Sequence, residues 1–102
     1  MFPKRVDSNQ VEIVRALVSM QCTVVHLHTL GKGVPDILVG CRGINVLVEI
    51  KDGEKALSKR QLNATQIAWH ANWRGLTPVV ISSSDEARAL VNYCNSRRTN
   101  DL

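Results

Sequence analysis

The chain has no apolar run near the roughly 20 residues that a membrane-crossing helix needs, and no apolar signal segment at its N-terminus. These absences set the expectation of an intracellular, cytoplasmic protein with no membrane partner. Cysteine is scarce: Cys22, Cys41 and Cys94 are odd in number and form no close pair, so neither a disulfide framework nor a cysteine zinc site is indicated. Cys41 and Cys22 instead read as small core residues in strands. His26 and His28 have a spacing that can bind zinc, but nothing nearby completes a tetrahedral set. They read as polar residues sharing one half-exposed face of a strand. Internal repeats and low-complexity segments are also missing, and no added base-reading domain is expected.

What remains is one domain, 1–102, near the small end for an independent core. A hydrophobic content of 44% is that of a globular chain and argues against disorder. So small a fold is expected to bury its remaining apolar surface in a homodimer. The net charge of +4 and pI near 9.3 favour a polyanionic partner. Lys51, Lys55, Lys59 and Arg60 form the first dense basic set and read as contacts to a phosphate backbone. Arg97-Arg98 reads as solvated surface at a helix C-terminus.

Hydrophobic periodicity predicts a first helix from Ser8 to Met20, with Val11, Val14 and Val18 at helical spacing and Ile13, Leu17 and Met20 widening the stripe. A strand over Cys22–His28 and a turn over residues 29–33 should follow. The stretch from Lys55 to Leu62 has no period and reads as loop. Asn63 and Gln66 suggest a capping box opening a helix that runs to Arg74 and stops at Gly75. Thr77–Ile81 reads as a short strand, and Ser83-x-x-Glu86 as the cap of a last helix that turns Ala87, Leu90, Val91 and Cys94 inward. The expected order is α-β-β-β-α-β-α.

The chemistry concentrates in residues 33–51. Ile37–Cys41 and Ile44–Ile50 are aliphatic runs joined by Arg42-Gly43, a two-residue turn in which glycine supplies positive φ. With that turn, Cys41 faces Ile44 and Asp36 lies opposite Glu49. Period two then puts Lys51 on the face of Glu49, while Ile37, Val39, Cys41, Val46, Val48 and Ile50 point to the other face, the core. Two carboxylates facing across a strand pair repel, and a hard cation such as Mg²⁺ removes the conflict. Lys51 could hold the attacking water or neutralise charge at phosphorus. The arrangement suggests a metal-dependent phosphodiesterase; the alternative is a strand end with three solvated charges.

Pro35-Asp36 followed by Glu49-Ile50-Lys51 resembles the PD-(D/E)xK nuclease signature. With Glu12, Gly33-Val34-Pro35-Asp36, Val48-Glu49-Ile50-Lys51-Asp52-Gly53 and Leu62-x-x-x-Gln66-x-x-Trp69-His70-x-x-Trp73, nearly the whole chain resembles the VRR-NUC (virus-type replication-repair nuclease) group in its small standalone phage and prophage form. The resemblance implies an α/β (α+β) fold with a restriction-endonuclease-like core, a mixed β-sheet flanked by helices in which the Thr77–Ile81 strand neighbours the strand of Glu49 and Lys51. It further implies an Mg²⁺- or Mn²⁺-dependent endodeoxyribonuclease with no small-molecule cofactor, active on branched DNA such as four-way (Holliday) junctions. Asp36, Glu49 and the main-chain carbonyl of Ile50 would hold the metal, with Glu12 a further ligand. Lys51 and Gln66 would complete the catalytic set. The competing class is a non-catalytic DNA-binding module with a vestigial site.

The secondary positions have plainer alternatives. Glu12 would otherwise pair with Arg15 or Arg5 on an exposed helix face. Gln66 has a capping role that competes with an active-site role for one side chain. Lys32, between two glycines, could reach a phosphate or be ordinary loop. Trp69 and Trp73 read as core or dimer-interface residues rather than base-stacking platforms, and His70 as structural.

Overall fold

The computed structural model describes residues 8–53 and 61–100. Helix α1 spans Ser8–Ser19. Apolar residues recur along it in two overlapping rows, both of which satisfy helical spacing. The row facing the core is Ile13 and Leu17, both fully buried, whereas Val11 and Val18 of the expected stripe are 48% and 55% exposed. The choice is tertiary, because α1 packs against the last helix and the first strand. The helix ends in a Schellman turn: Gln21 N–H bonds Val18 O at 3.0 Å and Cys22 N–H bonds Leu17 O at 3.0 Å. Gln21 takes the left-handed conformation there, φ 68°.

Strand β1 covers Thr23–His26. The expected extension to His28 fails because Leu27 turns to φ −117°, ψ −1° and a 3₁₀ turn follows over His28–Leu30. The two histidines therefore do not share a strand face; their rings meet edge to face at 5.8 Å. Strands β2, Ile37–Cys41, and β3, Ile44–Ile50, form the hairpin with Cys41 opposite Ile44 and Ile37 opposite Val48. Arg42 and Gly43 both have positive φ, 53° and 83°, which matches the right-handed twist of the flanking strands. The Arg42 guanidinium anchors the turn, donating to Asn95 Oδ1 at 3.0 Å and Met20 O at 3.2 Å.

Helix α2 spans Ala64–Asn72, capped by Asn63. It ends two residues before the expected Arg74, because Trp73 is already extended. Gly75 acts differently from a helix stop: a Cβ there would lie 2.7 Å from the Trp73 indole Nε1, so it lets the chain pass under the ring. Strand β4 covers Val79–Ile81, shorter than expected, with the donor-less Pro78 just before it. Helix α3 spans Ser84–Asn100. Its Glu86 N–H bonds Ser83 Oγ as the capping pattern predicts, while the Glu86 carboxylate accepts from Ser82 N–H rather than Ser83 N–H.

The four strands form one mixed sheet in the order β1-β2-β3-β4, antiparallel except for the parallel pair β3–β4. Together with three helices this makes an α+β fold. Ile37, Val39, Cys41, Val46, Val48 and Ile50 are all buried in one cluster with Ile13 and Leu17 of α1 and Ala87, Leu90, Val91 and Cys94 of α3. Period two therefore delivers the opposite sheet face, including Glu49, to α2. The three cysteines converge at one end of this core as free thiols, Cys41 touching both others. Burial, then Cys41, pushes the Cys22 thiol up to about 12 and the Cys94 thiol up to about 11. Among the described residues no helix is long and apolar enough to cross a membrane.

Candidate active site

Asp36 stands immediately before β2 and is 3% exposed. Its backbone continues the β1–β2 pairing, its carbonyl accepting Leu27 N–H at 2.8 Å. Its carboxylate turns the other way: Oδ2 accepts the buried Ile50 N–H at 2.8 Å. One step beyond the Ile37–Val48 pair, the hairpin register sets Asp36 across from Glu49. The side chain is thus held against β3 between Glu49 and Lys51.

Glu49 is 1% exposed. Its Oε2 accepts from Gln66 Nε2 at 3.1 Å and lies 4.0 Å from Lys51 Nζ. Lys51 Nζ also donates to Gln66 Oε1 at 2.9 Å, and the same Oε1 accepts the Asn63 N–H at 3.0 Å. Asn63 Oδ1 in turn accepts Gln66 N–H at 2.9 Å. The expected competition between capping and site does not arise. A carbonyl oxygen has two lone pairs and an amide nitrogen two protons, so Gln66 closes the α2 cap while bridging Glu49 and Lys51. Local capping chemistry therefore fixes where α2 sits over β3.

His70 lies one turn beyond Gln66 and is half-buried. Burial, and then the charge of Lys51, holds its imidazole below the ordinary value of 6.5, so the neutral ring is favoured. Its buried Nε2 has no hydrogen-bond partner among the described residues. Trp69 and Trp73 are not core residues: they stack on each other at 5.0 Å, and Trp73 is 46% exposed.

Glu12 sits elsewhere. It is exposed and lines a depression with Asn9, Asp52, Gly53 and Ser82–Ser84. Neither Asp36 nor Glu49 lines that depression, and among the described residues no three His, Cys, Asp or Glu side chains gather as a metal-ligand group. The α1 residue that reaches the end of β3 is Asn9, whose Nδ2 donates to Lys51 O at 2.6 Å and Ser82 O at 3.1 Å. Its signal was positional: Asn9 lies one turn before the buried Ile13 and so shares the core-facing side. Ile50 is paired with Ile81 in the parallel ladder. Lys32 is exposed beside α2. Lys55, Lys59 and Arg60 lie outside the described residues.

The geometry offers two buried carboxylates, a lysine held at fixed range and an amide that ties one carboxylate to that lysine. Such a set can hold a hard cation or polarise a water. The chain matches no protein-family model, and neither curated proteins nor solved structures gave a match.

Proposed function

We propose that the chain is an Mg²⁺- or Mn²⁺-dependent endodeoxyribonuclease of the VRR-NUC type within the PD-(D/E)xK superfamily, acting in DNA repair or recombination on branched DNA such as four-way junctions. The observation that carries this reading is the linkage of Lys51, Gln66 and Glu49 beside Asp36, all set by one hairpin and one capped helix. The donor chemistry fits the cation: two carboxylates, 3% and 1% exposed, offer hard oxygens, and Mg²⁺ habitually takes one or two carboxylates and keeps water or phosphate oxygens elsewhere. When bound, the cation would act as a Lewis acid on the phosphate and lower the pKa of a bound water.

Asp36, Glu49 and the Ile50 carbonyl would hold it. Lys51 orients the nucleophilic water, its ammonium kept in place by Gln66 Oε1. Water adds to phosphorus and the bond to the 3′ oxygen breaks, leaving a 5′-phosphate and a 3′-hydroxyl. Two such sites in a symmetric homodimer would suit paired incisions across a junction. A second reading is a DNA-binding module with a vestigial site; the depression that Glu12 lines includes neither Asp36 nor Glu49, as that reading expects.

The test is cleavage of labelled four-way, flap, linear and single-stranded DNA in Mg²⁺ or Mn²⁺ by wild type, Asp36→Ala and Lys51→Ala. Wild type should cut branched substrates best and both variants should lose activity. Retained cleavage in both would refute the assignment.

A further inference from the structure

The loop before the hairpin and the outer face of α2 enclose an open depression of about 500 Å³ lined by Lys32, Ala64, Thr65, Ala68, Trp69 and Asn72. The stacked rings lie 13° from parallel, so Trp73 covers one face of the Trp69 indole. Ala64, Thr65 and Ala68 are small and leave room beside Trp69. Lys32, exposed, brings a positive charge to the rim.

We infer that this depression binds an unpaired nucleobase of a DNA strand, stacked on Trp69, with Lys32 taking its phosphate. Bases stack on aromatic side chains without sequence preference, and a nearby cation tracks the backbone. Asn72 and Thr65 offer polar edges to the base, and the lysine favours an anionic ligand over an apolar protein surface. The loop and the helix that line the depression also carry or lead into residues of the acidic cluster. Gly33, at φ 84°, lies so close to Thr65 that a Cβ there would stand 2.5 Å from the Thr65 carbonyl oxygen, which pins the Lys32 loop to α2. Three residues on is Asp36, and next to Thr65 is Gln66. A strand held here is therefore led toward Asp36 and Glu49, and unpaired bases near a branch are the feature it would recognise. The choice of DNA rests on the nuclease reading.

Trp69 and Trp73 are the two tryptophans of the chain, so tryptophan fluorescence, excited beyond the absorption band of Tyr93, reports this platform alone. The full chain is titrated with oligothymidylate and with a blunt duplex in EDTA, where no cleavage occurs, beside Ala68→Leu. That substitution fills the depression from an exposed position with a good helix former. Expected are saturable quenching by the single strand and about a tenfold loss of affinity in Ala68→Leu, the order of one base–aromatic stack. No quenching, equal quenching by the duplex, or unchanged affinity in Ala68→Leu overturns the proposal. So does a dimer, seen by sedimentation, that Ala68→Leu dissolves without altering DNA affinity, which would assign the surface to a second copy. Quenching without cleavage in Mn²⁺ supports the platform and removes the nuclease reading; cleavage without quenching does the reverse.

Discussion

At Gln66 one amide meets Glu49, Lys51 and the Asn63 N–H within 3.1 Å. Glu49 is buried and Lys51 half-buried, and leaving such a group unsatisfied costs about 1–3 kcal/mol. Gln66→Leu should therefore lower stability by about 2–3 kcal/mol in urea unfolding and cut the cleavage rate about 10- to 100-fold, the usual effect of losing an orienting partner. Unchanged unfolding would show that the amide network contributes little. Asp36, Glu49 and Lys51 were legible as a group because period two and a two-residue turn leave little freedom over which faces meet. The three-way role of Gln66 was half legible: its cap follows from sequence spacing, but its reach to β3 depends on tertiary placement. Asn9 stayed hidden because a short polar residue at a helix start reads first as a cap.

Among the elements, the hairpin followed most directly from the chain, since Arg42-Gly43 and the aliphatic runs fix the register and β3 carries its own core pattern. The face of α1 did not, because Val11-Val14-Val18 and Ile13-Leu17 are both helical rows and only the position of α3 decides between them. Trp73 ended α2 early for a local reason instead, its extended backbone bringing the ring over Gly75. The Schellman turn after α1 gives a direct test of element energetics. Gln21 is exposed and pays for a left-handed φ of 68° that glycine adopts freely. Gln21→Gly should raise stability by about 0.5–1 kcal/mol in chemical unfolding. Destabilisation instead would mean that the glutamine side chain matters more than its backbone strain.

Across the whole molecule, the sheet divides labour. One face is a continuous apolar core under α1 and α3, and the other holds Glu49 under α2 with Asp36 at its rim. The core stabilises β3 from below, so a polar cluster can be kept rigid above it. The basic balance of the chain, +4, suits a polyanion approaching that cluster. The central claim is that the acidic pair is a cation site. The most direct measurement is a calorimetric titration of Mn²⁺ into wild type, Asp36→Asn, Glu49→Gln and Glu12→Gln. Asparagine at 36 keeps an acceptor for the Ile50 N–H, so the fold survives the loss of charge. The account predicts saturable binding in wild type and Glu12→Gln that disappears in Asp36→Asn and Glu49→Gln. Absence of binding in wild type, or undiminished binding in both of those variants, would contradict it.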